Sequence, residues 1–295
     1  MSKYVFCADL HLRADIPRCR AETIEEWYLH QKTRLETICK IAHAYGGKVV
    51  IAGDIFHKPN VPLEVMHLFI STMKDNKIVP YIMAGNHDLH YTNHDATDTS
   101  FNILSHIYPS WDCASGIGTT CYIPYGFGIE NTIGNGSIVG MHTLTFEKDT
   151  DVPFGVKKFE TAATLAEQAK KIGATCVVVG DMHRPFTAKI DGIRIINCGS
   201  MTVQSINEAS NAHGVWTYDD STDAVEFVPF TDTCMVVDDA YITEAKERDT
   251  RITAFVESMK DYEASSLDYL DNLKKALTHE EVSTTMKQVV NTWIN

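Results

Sequence analysis

Apolar residues along this chain come in short blocks separated by amphipathic stretches. Residues 3–8 (KYVFCA) read as a buried strand. Residues 21–44 have helical periodicity, with Ile24, Trp27, Tyr28, Leu35, Ile38 and Ala42 on one stripe, and Gly46-Gly47 is a stop signal. KVVIAG (48–53) predicts a second strand, residues 63–74 a helix after Pro62, and IVPYIMAG (78–85) a third strand. This alternation predicts parallel strands with helices packed on the sheet.

The pattern then turns strand-rich. TTCYIP and GSIVGM fall between 119 and 141, a helix is expected over 160–172, and TCVVVG follows at 175–180. FTAKI, GIRIIN, GVWTYD and AVEFVPF come next, with Asp191-Gly192 as a hairpin signal. The expected fold class is α/β: two stacked mixed β-sheets flanked by helices, in four layers. Residues 1–230 form the expected main domain, and 231–295 a small helical C-terminal appendage. Three short helices are expected near 241–260, 264–277 and 279–293. Their apolar positions, Ile252, Phe255, Met259, Leu267, Leu270, Leu273 and Leu277, suit either the chain's own core or a partner.

Composition narrows the class. Hydrophobic content of 44% and charged content of 22% are ordinary for a soluble globular protein of 295 residues. No apolar run is long enough to cross a bilayer, and MSKYVFCADLHL lacks the layout of a signal peptide, so a cytoplasmic protein with no membrane contact is expected. None of the eight cysteines forms a C-x-x-C pair, which argues against a zinc knuckle or a dithiol redox site. The net charge of −13 is uneven: residues 1–218 carry 22 acids and 19 bases, residues 219–295 carry 17 and 7. Phosphate contacts need Lys and Arg, so the acidic tail is not a DNA-binding arm.

The chemistry sits at the strand ends. FCADLHL places Asp9 and His11 after the first strand, and VIAGDIFHKP places Asp54 and His57 after the second. IMAGNHDLHY places Asn86, His87 and Asp88 after the third; IVGMHT supplies His142, and VVVGDMHRP supplies Asp181 and His183. In open α/β sheets ligands bind beyond the carboxyl ends of strands. A mixture of carboxylates and imidazoles suits a pair of divalent cations of the manganese, iron or zinc type better than calcium. On an extended segment the D-x-H spacing puts both side chains on one side.

Taken in order, D9-x-H11, G53-D54-x-x-H57, G85-N86-H87-D88, G140-x-H142 and G180-x-x-H183 resemble the motifs of calcineurin-like metallophosphoesterases. The local sequences G-D-I-F-H (53–57), G-N-H-D-L-H-Y (85–91) and N-C-G-S-M (197–201) are most similar to the DNA-repair nuclease branch. That branch holds SbcD and the small nuclease subunit of T4-like phage recombination complexes. The resemblance spans about residues 1–230. It implies that Asp9, His11 and His183 hold a first metal, that Asp54 bridges, and that Asn86 and His142 hold a second. It implies a catalytic role for His87 at the scissile phosphate, with His57 near the substrate and Asp88 orienting a neighbour.

One position departs from the family pattern. Where G-H-x-H is usual, this chain reads G180-D181-M182-H183. Asp181 is the expected replacement ligand, since a carboxylate oxygen suits manganese or magnesium. The implied activity is metal-dependent hydrolysis of DNA phosphodiesters (exonuclease or endonuclease), in which a hydroxide bridging two metals attacks phosphorus. Manganese is the expected cofactor, with magnesium, iron and zinc as alternatives. Two rival activities share the motifs: phosphomonoesterase or cyclic-nucleotide phosphodiesterase, and a catalytically silent scaffold. The expected partners are DNA, an SbcC-like ATPase subunit and a second copy of the chain.

Overall fold

A computed structural model describes residues 2–90, 93–94, 97–109, 120–123, 125–129 and 137–231, and beyond them 243, 247, 250–254, 277 and 283. The chain divides into two compact units, Met1–Ile242 and Thr243–Asn295.

In the first unit β1 (Lys3–Cys7), β2 (Lys48–Ala52) and β3 (Tyr81–Met83) run parallel, joined by α1 (Ile24–Tyr45) and α2 (Leu63–Asp75). Two antiparallel strands, β11 (Gly214–Asp219) and β12 (Ala224–Pro229), complete a sheet of order β12-β11-β1-β2-β3. The third strand is shorter than its apolar run predicts, because Pro80 has no N–H to give a ladder.

The second sheet has the order β4-β5-β8-β10-β9. Its strands are β4 (Thr120–Ile123), β5 (Ile138–His142), β8 (Cys176–Gly180), β9 (Phe186–Ile190) and β10 (Ile193–Asn197). All are parallel to their neighbours except β9, which pairs with β10 through the expected turn at Asp191-Gly192, both at positive φ. A small parallel pair, β6 (Thr145–Phe146) and β7 (Glu160–Thr161), and the short helix α3 (Ser100–Ser105) were not foreseen from periodicity. Helix α4 (Ala162–Lys171) covers the second sheet.

Strand alternation builds the layers. Tyr4, Phe6, Ala8, Val50, Ala52 and Met83 face Ile138, Cys176, Val178, Ile196 and Cys198 between the sheets. Val5, Cys7, Val49 and Ile51 face the other way, against Leu35, Ile38, Val65 and Phe69 of α1 and α2. Both sheets are thus buried on two faces, as four layers require.

Helix α1 starts with a capping box of Thr23 and Glu26 and ends at Gly46. Its inner face differs from the expected stripe. Ile24 and Tyr28 are exposed, at 65% and 36%, whereas His30, Gln31 and Arg34 are buried. Gln31 and Arg34 have backbone partners. The Gln31 amide accepts from Arg13 N and donates to Arg13 O, both at 3.0 Å, and Arg34 Nη1 donates to Met201 O at 3.3 Å.

In the second unit residues 250–254 are helical, and Ile252 is exposed. Phe255, Met259, Leu267, Leu270 and Leu273, with most of the three expected helices, lie outside the described residues. Among the described residues no helix is long and apolar enough to cross a membrane.

Candidate metal centre

The carboxyl ends of β1, β2, β3, β5 and β8 meet at one edge, which carries all the residues singled out in the sequence. The loops after β1 and β2 run side by side: Asp9 N donates to Gly53 O, His11 N to Asp54 O, and Leu12 N to Ile55 O, at 2.9–3.1 Å.

The backbone there is not extended. Asp9, His11, Asp54 and Asp181 all have positive φ, at 49°, 45°, 52° and 87°. The expectation that D-x-H side chains share one side of an extended segment is therefore corrected. Left-handed residues turn the chain sharply after the strand, and the cross-sheet contacts, not period-two alternation, aim these side chains. Such conformations cost about 1–3 kcal/mol each and persist only where the surroundings enforce them. Two glycines permit the crowding. A Cβ on Gly53 (φ +92°) would strike the His142 ring, and one on Gly85 would strike the Asp54 carboxylate.

Hydrogen bonds set the imidazole tautomers. His142 Nδ1 donates to Ala52 O at 2.8 Å. Its Nε2 then faces Asn86 Oδ1 at 3.0 Å, Asp54 Oδ2 at 3.4 Å and Asp9 Oδ1 at 3.8 Å. His183 Nδ1 lies 2.9 Å from Glu208 Oε1, and its Nε2 lies 3.1 Å from His11 Nε2, which is 3.6 Å from Asp54 Oδ2. Electron-rich atoms converge on three points: Asp9, His11 and His183 form one group, Asp9, Asp54 and His142 another, and His11, His57 and His87 a third. Electron-rich atoms at such distances repel unless a proton or a metal cation sits among them. The donor set, oxygen and imidazole nitrogen without sulfur, fits divalent ions of the manganese, magnesium, iron or zinc kind.

The electrostatics agree. Burial works against charge on His142, but Asp54 and Asp9 outweigh it and push the imidazole well above its ordinary range. Burial raises Asp54, and the nearby His142 reverses that, holding its carboxyl below the ordinary range. Asp9 goes up to about 7, chiefly through burial. The cavity thus draws positive charge onto whatever can carry it.

Asp181 lies beside Asp9 and belongs to none of the converging groups among the described residues. Its N–H donates to the Asp9 carboxylate at 3.0 and 3.1 Å. Burial raises its own carboxyl, while the His142 charge pulls it down. Among the described residues, no hydrogen bond ties the Asp181 carboxylate to the turn at 182–185.

His87 N donates to Asp54 Oδ1 at 2.9 Å, and its Nδ1 donates to His57 O at 2.8 Å, which leaves Nε2 free to act. The His57 and His87 rings stack at 5.2 Å, and His11 meets both edge-on. Burial, helped by the Arg13 charge, holds His57 down to about 4. Asp88 lies behind the site, fully buried. Its carboxylate accepts from Phe56 N at 2.9 Å, Gly85 N at 3.0 Å and Ile55 N at 3.1 Å. Burial pushes it up to about 7, against those three donors. It braces the loops after β2 and β3 and touches no converging donor.

Sequence reasoning missed Glu208. Nothing in Q-S-I-N-E (204–208) marks it, and only the fold carries it to His183.

A family model described as calcineurin-like phosphoesterase matches residues 2–185. No curated protein matches the chain. Among solved structures, the TT1561 protein of Thermus thermophilus is similar at 10% identity, covering 77% of this chain and 98% of its own, with a TM-score of 0.46. A structure described as a novel archaeal phosphodiesterase is similar at 13% identity, 77% and 99% coverage and a TM-score of 0.40. Zinc-bound Vps29 from Entamoeba histolytica is similar at 16% identity, 78% and 99% coverage and a TM-score of 0.37.

Proposed function

Because the chain belongs to the calcineurin-like phosphoesterase family, we propose that it is a two-metal phosphodiesterase acting on DNA, a nuclease of repair, recombination or phage DNA processing. The observation that carries this reading is the His57–His87 pair. G-D-I-F-H and G-N-H-D-L-H, the two stretches most similar to repair nucleases, bring their histidines into a stack at 5.2 Å beside the converging donors. Lys58 and Arg13, the latter paired with Asp15, lie close to His57, and the positive charge of Lys58 suits a polyanionic strand.

Asp9, His11 and His183 would hold one ion, Asn86 and His142 the other, with Asp54 between them and Asp181 on the second. Divalent ions so held supply Lewis acidity and a lowered pKa for water. The protein's own part is positional. His87 Nε2, its ring fixed through the bond from Nδ1 to His57 O, is aimed to stabilise or protonate the leaving oxygen. His57, held neutral near pH 7, offers a hydrogen bond to a phosphate oxygen without changing the charge of the site.

The test uses the full chain with manganese on end-labelled single- and double-stranded DNA, beside a panel of phosphomonoesters and cyclic nucleotides. Metal-dependent cleavage of DNA is expected. Turnover of the monoesters or cyclic nucleotides with intact DNA would replace this reading with a small-molecule phosphoesterase.

A further inference from the structure

The loop from Gly199 to Glu208 runs from the N-C-G-S-M stretch (197–201) back to the metal centre. It touches two of the three residues grouped at the first converging point. Met201 N donates to Asp9 O at 3.1 Å, and Ser200 N donates to His183 O at 3.1 Å. At its far end, Glu208 Oε1 lies 2.9 Å from His183 Nδ1. The loop is itself tied down from behind: buried Arg34 donates to Met201 O, and buried His213 Nδ1 lies 2.9 Å from Ser200 O.

The Glu208 carboxylate is held on both oxygens. Ser205 Oγ donates to Oε1 at 2.8 Å, and Gln204 N donates to Oε2 at 2.9 Å. The side chain is 12% exposed and that of His183 23%, so the pair is largely out of solvent. A surface ion pair of two free side chains would lack these anchors. A carboxylate so fixed has one geometry to offer an imidazole.

We propose that Glu208 is a positioning residue for the first metal: it keeps the proton of His183 on Nδ1 and aims Nε2 at the cation shared with Asp9 and His11. This deepens the proposed function and rests on its assignment of that ion, not on the substrate being DNA. The physical basis is general. A carboxylate behind a ligating imidazole fixes tautomer and ring orientation and raises basicity, and losing it costs about 10–100-fold in metal affinity. Glu208→Ala removes the acceptor. Glu208→Gln keeps an acceptor oxygen and removes the charge.

Manganese titration of the full chain by calorimetry, with no DNA present, reads the effect apart from catalysis. For Glu208→Ala one of the two ions is expected to weaken by about 10–100-fold while the other keeps its affinity, and Glu208→Gln should recover part of the loss. Unchanged affinity for both ions in Glu208→Ala would overturn the proposal and leave a structural ion pair. If Glu208→Ala does not fold, the parent decides. In the zinc-loaded protein, imidazole nitrogen-15 shifts, with His183 assigned by His183→Asn, are expected to show a protonated Nδ1 and a metal-bound Nε2. A metal-bound Nδ1 would refute the proposal. Hydrolysis of DNA enters neither measurement, so failure of the nuclease reading leaves this result standing.

Discussion

Asp88 is next to His87 in sequence, yet its contacts are structural, and that can be measured. Its carboxylate accepts three buried backbone N–H groups, from Ile55, Phe56 and Gly85. In Asp88→Ala all three lose their acceptor in a site closed to water. Each unsatisfied buried donor costs about 1–3 kcal/mol, so the sum is about 3–9 kcal/mol. That is comparable with the whole stability of a domain, about 5–15 kcal/mol. Asp88→Asn behaves differently. With its amide oxygen at the Oδ2 position it keeps the Ile55 and Gly85 bonds and loses only Phe56, a cost of about 1–3 kcal/mol. Urea unfolding with a chelator present, followed by the fluorescence of buried Trp27 and Trp216, reads both variants without metal linkage. Asp88→Asn as damaging as Asp88→Ala would refute the bond count. So would an alanine variant within about 1 kcal/mol of the parent. A lowered manganese stoichiometry in Asp88→Asn at unchanged apo stability would make Asp88 a ligand instead.

Other expectations are as direct. His87→Ala abolishes hydrolysis while two ions remain bound by elemental analysis; loss of an ion would make His87 a ligand. Asp181→Ala weakens the second ion in a metal titration and lowers activity by about 10–100-fold or more, whereas Asp181→His keeps activity and moves preference toward zinc or iron. Parental metal affinity and activity in Asp181→Ala would remove the residue from the site. At the surface, Asp223 pairs with Arg194 and Lys189, which hold its carboxyl below the ordinary range against partial burial. A depressed carboxyl stabilises the fold above its unfolded pKa of about 3.9 and loses that contribution as pH falls through the native value. Asp223→Asn should therefore cost under about 1 kcal/mol at pH 7, with the gap to the parent closing in acid; a gap that widens in acid would reverse the sign.

Much of this protein is legible one segment at a time. The β-α-β-α-β order, the strand-rich second half and the Asp191-Gly192 hairpin follow from periodicity and turn chemistry, which are local. The five polar clusters are equally local, because each follows its own apolar strand. What the strands do to one another is not local. Asp9 and Asp181 are 172 positions apart, and their contact exists only because two sheets pack through Phe6, Val50 and Val178. That packing drives Asp9, His11, Asp54 and Asp181 into left-handed backbone that no strand pattern announces, and it needs Gly53 and Gly85 because rings and carboxylates close over them. It also buries Gln31 and Arg34 on a helix face whose apolar stripe pointed elsewhere, since their amide and guanidinium groups satisfy loop carbonyls. Glu208 is the plainest case. An acid in a polar turn has no mark of its own, and its meaning comes from the imidazole that the second sheet sets 2.9 Å away.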